Sequence, residues 1–118
     1  MKIRKIAELL QADVLCCDER LDEEVYAACG SDMLSDVLAY VKNQAILLTG
    51  LVNAQVIRTA MMMDMHCVVF VRSKQPSPEM VSLARENGIV VMRTDFRMYE
   101  ACGTLYSNRL GCEGGAHD

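Results

Sequence analysis

Ala45-Ile46-Leu47-Leu48-Thr49-Gly50-Leu51-Val52-Asn53 is the stretch on which the fold turns. Residues 45–48 are apolar at every position. A strand with one solvated face alternates apolar and polar side chains, whereas a strand covered on both faces does not, and parallel sheets are built from the second kind. Thr49-Gly50 closes the run, and Asn53 carries a side-chain oxygen able to accept from the free N–H groups of a helix start. Val56, Ile57, Ala60 and Met61 then recur at helical spacing and are expected to face inward. Cys67-Val68-Val69-Phe70-Val71 follows as a second wholly apolar strand. Strand, helix and strand with short connections make a βαβ unit.

The pattern continues in both directions. Downstream, Ser77 caps a helix with Pro78 at its first position, Glu79 beside the positive end of the dipole and Gly88 just past its end. Ile89-Val90-Val91-Met92 reads as a further buried strand, and Thr94 or Asp95 starts a last helix running toward Leu110. Upstream, Ile3, Ile6, Ala7 and Leu10 give a short first helix, Asp13–Cys17 a strand, residues 18–22 a polar turn, and Val25–Cys29 a second strand closed by Gly30. Ser31 or Asp32 is placed to cap a helix with Leu34, Val37, Leu38 and Val41 along its stripe. The expected fold is therefore a single α/β domain over residues 1–110, with a mainly parallel sheet and helices on both faces. Glycine-rich residues 111–118 read as a flexible tail.

Composition narrows the function. The chain has 118 residues, 52% of them hydrophobic, and a formal net charge of −4, so one core forms without metal or disulfide support. Its Lys and Arg are scattered, and nucleic-acid binding needs a clustered basic face. No apolar run approaches the ~20 residues of a membrane span, and no signal-peptide core is present. Six cysteines stand at 16, 17, 29, 67, 102 and 112. Without an export signal they are expected as reduced thiols in the cytoplasm.

Motifs for common chemistries are missing. There is no GxGxxG, no Gly-rich phosphate loop ending in Lys-Ser/Thr and no CxxC, and the only histidines are His66 and His117. A receiver-type phosphorylation site needs acidic residues at the ends of early strands, where Cys16-Cys17 and Thr49-Gly50 stand instead. No catalytic residue, metal site or cofactor is assigned.

Two sets of residues remain. In open α/β sheets, ligands bind beyond the carboxyl ends of the strands, where helix N-termini favour anions. That edge would gather Thr49, Gly50, Asn53, Arg72, Ser73, Lys74 and Thr94 with Asp95, a set of hydroxyls, close backbone and cations suited to a nucleotide or other anion; the plainer reading is ordinary caps and solvated loops, which every α/β domain carries. Met61, Met62, Met63 and Met65 cannot all face one core, and methionine suits adaptable contact surfaces, so they are candidates for a subunit interface as much as for local packing. Cys16, Cys17 and Cys29 would be neighbours if the first two strands pair. His66, Arg58 and Asp64 read as loop and surface residues.

The whole pattern resembles the DRTGG domain family. The resemblance rests on Leu47–Ala60, on Val68–Val71 followed by Pro76-Ser77-Pro78-Glu79 and the helix to Gly88, on Ile89–Asp95 leading into Tyr99-Glu100-Ala101, and on the opening Ile6–Leu10. The literal Asp-Arg-Thr-Gly-Gly string is absent, and Leu51-Val52 follows Gly50 where relatives carry an Asp-Arg pair. The resemblance implies a non-catalytic accessory domain of the kind that accompanies CBS domains in certain pyrophosphatases, occurs in phosphotransacetylases and precedes the kinase domain of HPr kinase/phosphorylase, serving regulation and subunit contact. The leading expectation is a homodimeric regulatory module, with a protein partner or an anionic small molecule as its effector. The alternatives are a small-molecule sensor acting at the sheet edge and, third, a cysteine-dependent enzyme, for which no base is placed near a thiol.

Overall fold

The computed structural model describes residues 1–40 and 45–111. Eleven elements follow one another: α1 (Ile3–Leu9), β1 (Asp13–Cys16), a 3-10 turn (Asp18–Arg20), β2 (Ala27–Gly30), α2 (Leu34–Tyr40), β3 (Ala45–Thr49), α3 (Ala54–Met62), β4 (Cys67–Phe70), α4 (Pro78–Glu86), β5 (Val90–Arg93) and α5 (Met98–Ser107). The five strands form one sheet in the order β1-β5-β4-β3-β2. The pairings β2–β3, β3–β4 and β4–β5 are parallel, and β1 joins β5 antiparallel at one edge. The fold is the expected one, a mainly parallel sheet with helices on both faces.

The run that announced the fold sits at its centre. Every residue of β3 and β4 is buried, because each strand is sandwiched laterally between neighbours and covered above and below. Consecutive parallel strands step in one direction across the sheet, so right-handed crossovers put α2, α3 and α4 on one face, where they pack side by side. The opposite face is covered by α1 and α5, which contact each other, with α5 reaching over β3 and β2.

Local signals explain the boundaries. Asn53 accepts from Gln55 N–H at 2.8 Å to start α3, and Ser77 accepts from Met80 N–H at 3.2 Å to start α4 behind Pro78. Gly88 ends α4 with a left-handed φ of +70°. Elsewhere the boundaries differ from expectation. The second strand is Ala27–Gly30 rather than Val25–Cys29, because the Val25 N–H is taken by the Met1 carbonyl at 2.8 Å instead of by the sheet. The last helix starts at Met98, not at Thr94 or Asp95, both of which are engaged elsewhere, and Glu100 accepts from the Arg97 N–H at its first turn. Asp32 does not cap α2; its carboxylate reaches the end of β3. Met61 is exposed rather than inward, and Leu38 is half exposed. Val41 and the tail residues 112–118 lie outside the described residues.

Candidate functional site

The carboxyl ends of β3, β4 and β5 converge on a polar edge. At its β3 end, Thr49 is fully buried. Its hydroxyl donates to Asp32 Oδ1 at 3.1 Å and accepts from the Leu51 N–H at 3.1 Å, while the Gly50 N–H donates to the same Asp32 oxygen at 2.7 Å. Arg72 Nη2 lies 3.5 Å from Asp32 Oδ2, and the guanidinium rests directly on Gly50, in the space a Cβ there would fill. Gly50 thus lets the guanidinium settle against the backbone, and its φ is not left-handed.

After β4, Arg72 and Ser73 both adopt left-handed φ values of 60° and 59°. The strain is offset by backbone bonds: the Arg72 N–H donates to the Phe96 carbonyl at 2.8 Å and the Ser73 N–H to the Thr94 carbonyl at 3.0 Å. The Ser73 hydroxyl donates to Asp95 Oδ1 at 2.6 Å, and Arg93 bridges Asp95 and Asp13 at 3.1 and 3.0 Å. The Ser73 hydroxyl, and then the positive charge of Arg93, hold the Asp95 carboxyl below the usual carboxylate range.

Of the seven residues expected at this edge, Arg72 and Ser73 line its surface around Asp32 and Asp95, while Thr49 and Gly50 lie buried beneath it, bonded to Asp32. Lys74 is exposed beside them. Thr94 is 1% exposed, and its hydroxyl donates to the Leu10 carbonyl at 2.6 Å, so it ties the end of α1 to the sheet rather than facing outward. Asn53 caps α3 and lines an open groove of about 750 Å³ between α3 and α4, together with Arg58, Ser77, Met80 and Leu83. Asp32, Arg93 and Asp13 belong to the edge and were not singled out. Asp32 carried only a helix-cap signal, and the Asp13–Arg93 pair depends on the β1–β5 register, which no local pattern encodes.

Chemically the edge is a charge-balanced network. Its two arginines are each paired with carboxylates, so an incoming anion competes with Asp32 for Arg72 and with Asp13 and Asp95 for Arg93. The half-buried His66 precedes β4 whereas Ser73 follows it, so the two stand at opposite ends of that strand. His66 Nδ1 instead lies 3.5 Å from Glu23 Oε1.

The methionines divide. Met61 and Met62 are exposed, Met63 is partly buried, and Met65 is 3% exposed and belongs to the core, so Met65 presents nothing to a partner. The cysteines also separate. β1 and β2 lie at opposite edges of the sheet, so Cys29 is not a neighbour of Cys16 and Cys17. The five cysteines among the described residues are free. Burial pushes the thiols of Cys29, Cys67 and Cys102 up, and that of Cys17, beside Cys16, up to about 11. Among the described residues no cluster of His, Cys, Asp and Glu is arranged to hold a metal ion, and no helix is long and apolar enough to cross a membrane.

Comparison with known proteins gives three findings. No curated protein matches the chain. A solved structure of the CBS and DRTGG domains of the regulatory region of Clostridium perfringens pyrophosphatase, complexed with the activator diadenosine tetraphosphate, is similar at a TM-score of 0.72 and 16% identity. The match covers 94% of this chain and 48% of that one, so the chain spans about half the length of that structure. At that identity the likeness carries the fold alone. The sequence carries the assignment: the family model described as the DRTGG domain matches residues 5–107, the whole of the sheet and all five helices but the start of α1, and the chain belongs to the DRTGG domain family.

Proposed function

We propose that this chain is a regulatory module that performs no catalysis, works as a homodimer in the cytoplasm, and passes the state of an effector to a protein partner. The observation that carries the reading is the DRTGG family match over residues 5–107. The charge-balanced edge supports the non-catalytic part, since Ser73, Arg72 and Arg93 are committed to carboxylates rather than poised beside a base. The folded unit is taken as residues 1–110, and free thiols, three of them buried, accord with a cytoplasmic setting.

A second reading makes the polar edge a nucleotide or anion sensor. It is favoured by Arg72 lying against the Gly50 turn next to the exposed Lys74, and by the diadenosine tetraphosphate held by the similar pyrophosphatase region. A polyphosphate would draw Arg72 from Asp32, a pair that is half exposed and weak.

Thermal unfolding at several protein concentrations, with and without nucleotides that include diadenosine tetraphosphate, tests both readings. Anything that binds only the folded state raises the melting temperature by mass action. A rise with protein concentration alone supports the dimeric module. A rise with one nucleotide, abolished by Arg72→Ala with Lys74→Ala in a chain that still folds, supports the sensor. Turnover of any added nucleotide during the scan would overturn the non-catalytic reading.

A further inference from the structure

Among the described residues, the most exposed large hydrophobic side chains lie on one face of α5. Tyr99 is 92% exposed and Tyr106 is 72% exposed. They are seven residues apart, two turns of helix, and so stand one above the other on the same face. Gly103 sits near their midpoint on that face, and a Cβ built there meets nothing within 4 Å. The opposite face of α5 is spent on the core through the buried Ala101 and Leu105. Glu100 is the one charged residue within α5, and helical spacing sets it to the side of the tyrosine face.

We infer that this face of α5 is the contact surface for a second copy of the chain, with the two α5 helices packed antiparallel and crossing at Gly103. The inference rests on the homodimeric reading above and deepens it by naming the surface. A two-fold axis demands a self-complementary patch. An axis beside Gly103 brings Tyr99 of one copy against Tyr106 of the other, twice, and joins the two helices where neither carries a side chain. Helix axes approach to ~8–10 Å depending on the side chains at the crossing, and glycine permits the near end of that range.

The area fits. A buried tyrosine covers roughly 150–250 Å², so two such rings supply nearly half of the ~800 Å² per partner of a standard interface. Cys102 borders the stripe, and β2, the outer parallel strand over which α5 packs, has no strand on its far side among the described residues. The remaining area would come from residues that flank the stripe. Tyrosine-rich, charge-poor composition is the signature of interface centres. The exposed methionines Met61 and Met62 lie on α3, in the helix layer of the other face of the sheet, and form a separate patch.

Sedimentation equilibrium of the full chain from micromolar to millimolar concentration tests the assignment. The wild type is expected to be a dimer. The double variant Tyr99→Arg/Tyr106→Arg and the single variant Gly103→Arg are each expected to weaken association about tenfold or more. All three positions are exposed, so both variants keep wild-type helicity and cooperative unfolding. As a second readout, Gly103→Cys in a Cys102→Ser/Cys112→Ser background is expected to form an intermolecular disulfide under mild oxidation by oxidised glutathione. A wild-type dimer whose α5 variants dimerise equally well, while Met62→Arg dissociates it, would overturn the α5 surface and leave the homodimeric reading standing. A wild type monomeric at every concentration would overturn both.

Discussion

Single hydroxyls decide more at the sheet edge than the charges around them. Thr94 Oγ1 donates to the Leu10 carbonyl at 2.6 Å in a buried bond and accepts from the Phe96 N–H at 3.2 Å in a part-buried one. Thr94→Val keeps the shape and strands both partners, so a loss of about 1–3 kcal/mol is expected in urea unfolding. Gly103 offers the reverse case: an exposed glycine inside a helix with open space around its Cα. Gly103→Ala is expected to stabilise the chain by roughly 0.5–1 kcal/mol through the unfolded state, read in the same denaturation assay at low protein concentration. Asp95 is a matter of proton linkage. Its carboxyl is held below the ordinary value by Ser73 first and Arg93 second. A depressed pKa means that the contribution is complete above the unfolded value of about 3.9 and is lost as pH falls through the folded one. Ser73→Ala is expected to raise the Asp95 pKa toward the ordinary value in a carboxyl NMR titration, and an unmoved pKa would show that Arg93 alone holds it. None of these three roles was legible in the sequence. Each depends on a partner more than twenty residues away or on the emptiness of a surface.

At the scale of the element, legibility follows how much of the signal is local. α4 was readable from end to end because its cap, its first-turn proline and its terminal glycine are chemistry within a dozen residues. Ser77→Ala is accordingly expected to cost about 1 kcal/mol, within the ~0.5–2 kcal/mol of cap losses, measured by thermal unfolding with circular dichroism. α5 misled at its start for a non-local reason. Thr94 and Asp95 are good cap residues, but their oxygens are claimed by Leu10 and Phe96 on one side and by Ser73 and Arg93 on the other. The cap therefore falls on Arg97, a poor capping residue by type, with Glu100 accepting from its N–H. Asp32 was misplaced in the same way, drawn off α2 by Thr49 and Gly50. In both cases a residue with capping chemistry was recruited to join the carboxyl end of a strand to its surroundings, which is why the polar edge could be seen in outline and not in composition.

For the whole molecule, strand order was the missing variable. Consecutive parallel strands from β2 to β5 contain no reversal of direction, so this stretch lacks the crevice that a switch in strand order opens in other α/β sheets. The polar edge is correspondingly a closed, charge-paired surface rather than a cleft. Strand order also scatters the cysteines. Cys16 and Cys17 lie at the β1 edge, Cys67 lies in the centre and Cys29 at the β2 edge. Cys16 and Cys67 are buried within their own strands, where a small apolar side chain fits. Burial dominates their acidity: it pushes Cys29, Cys67 and Cys102 up and takes Cys17 to about 11. At pH 7.5 a thiol at about 11 is ionised in roughly one molecule in 3,000, and the thiolate is the nucleophile. A Cys112→Ser variant, which leaves the five described cysteines, is therefore expected to react slowly with a thiol-specific disulfide reagent while folded and to release all five equivalents in urea. Labelling that speeds up in proportion to the unfolded population would tie reactivity to opening of the fold. One thiol that reacts at once in the native protein would contradict the burial argument and reopen nucleophilic chemistry for a chain read here as regulatory.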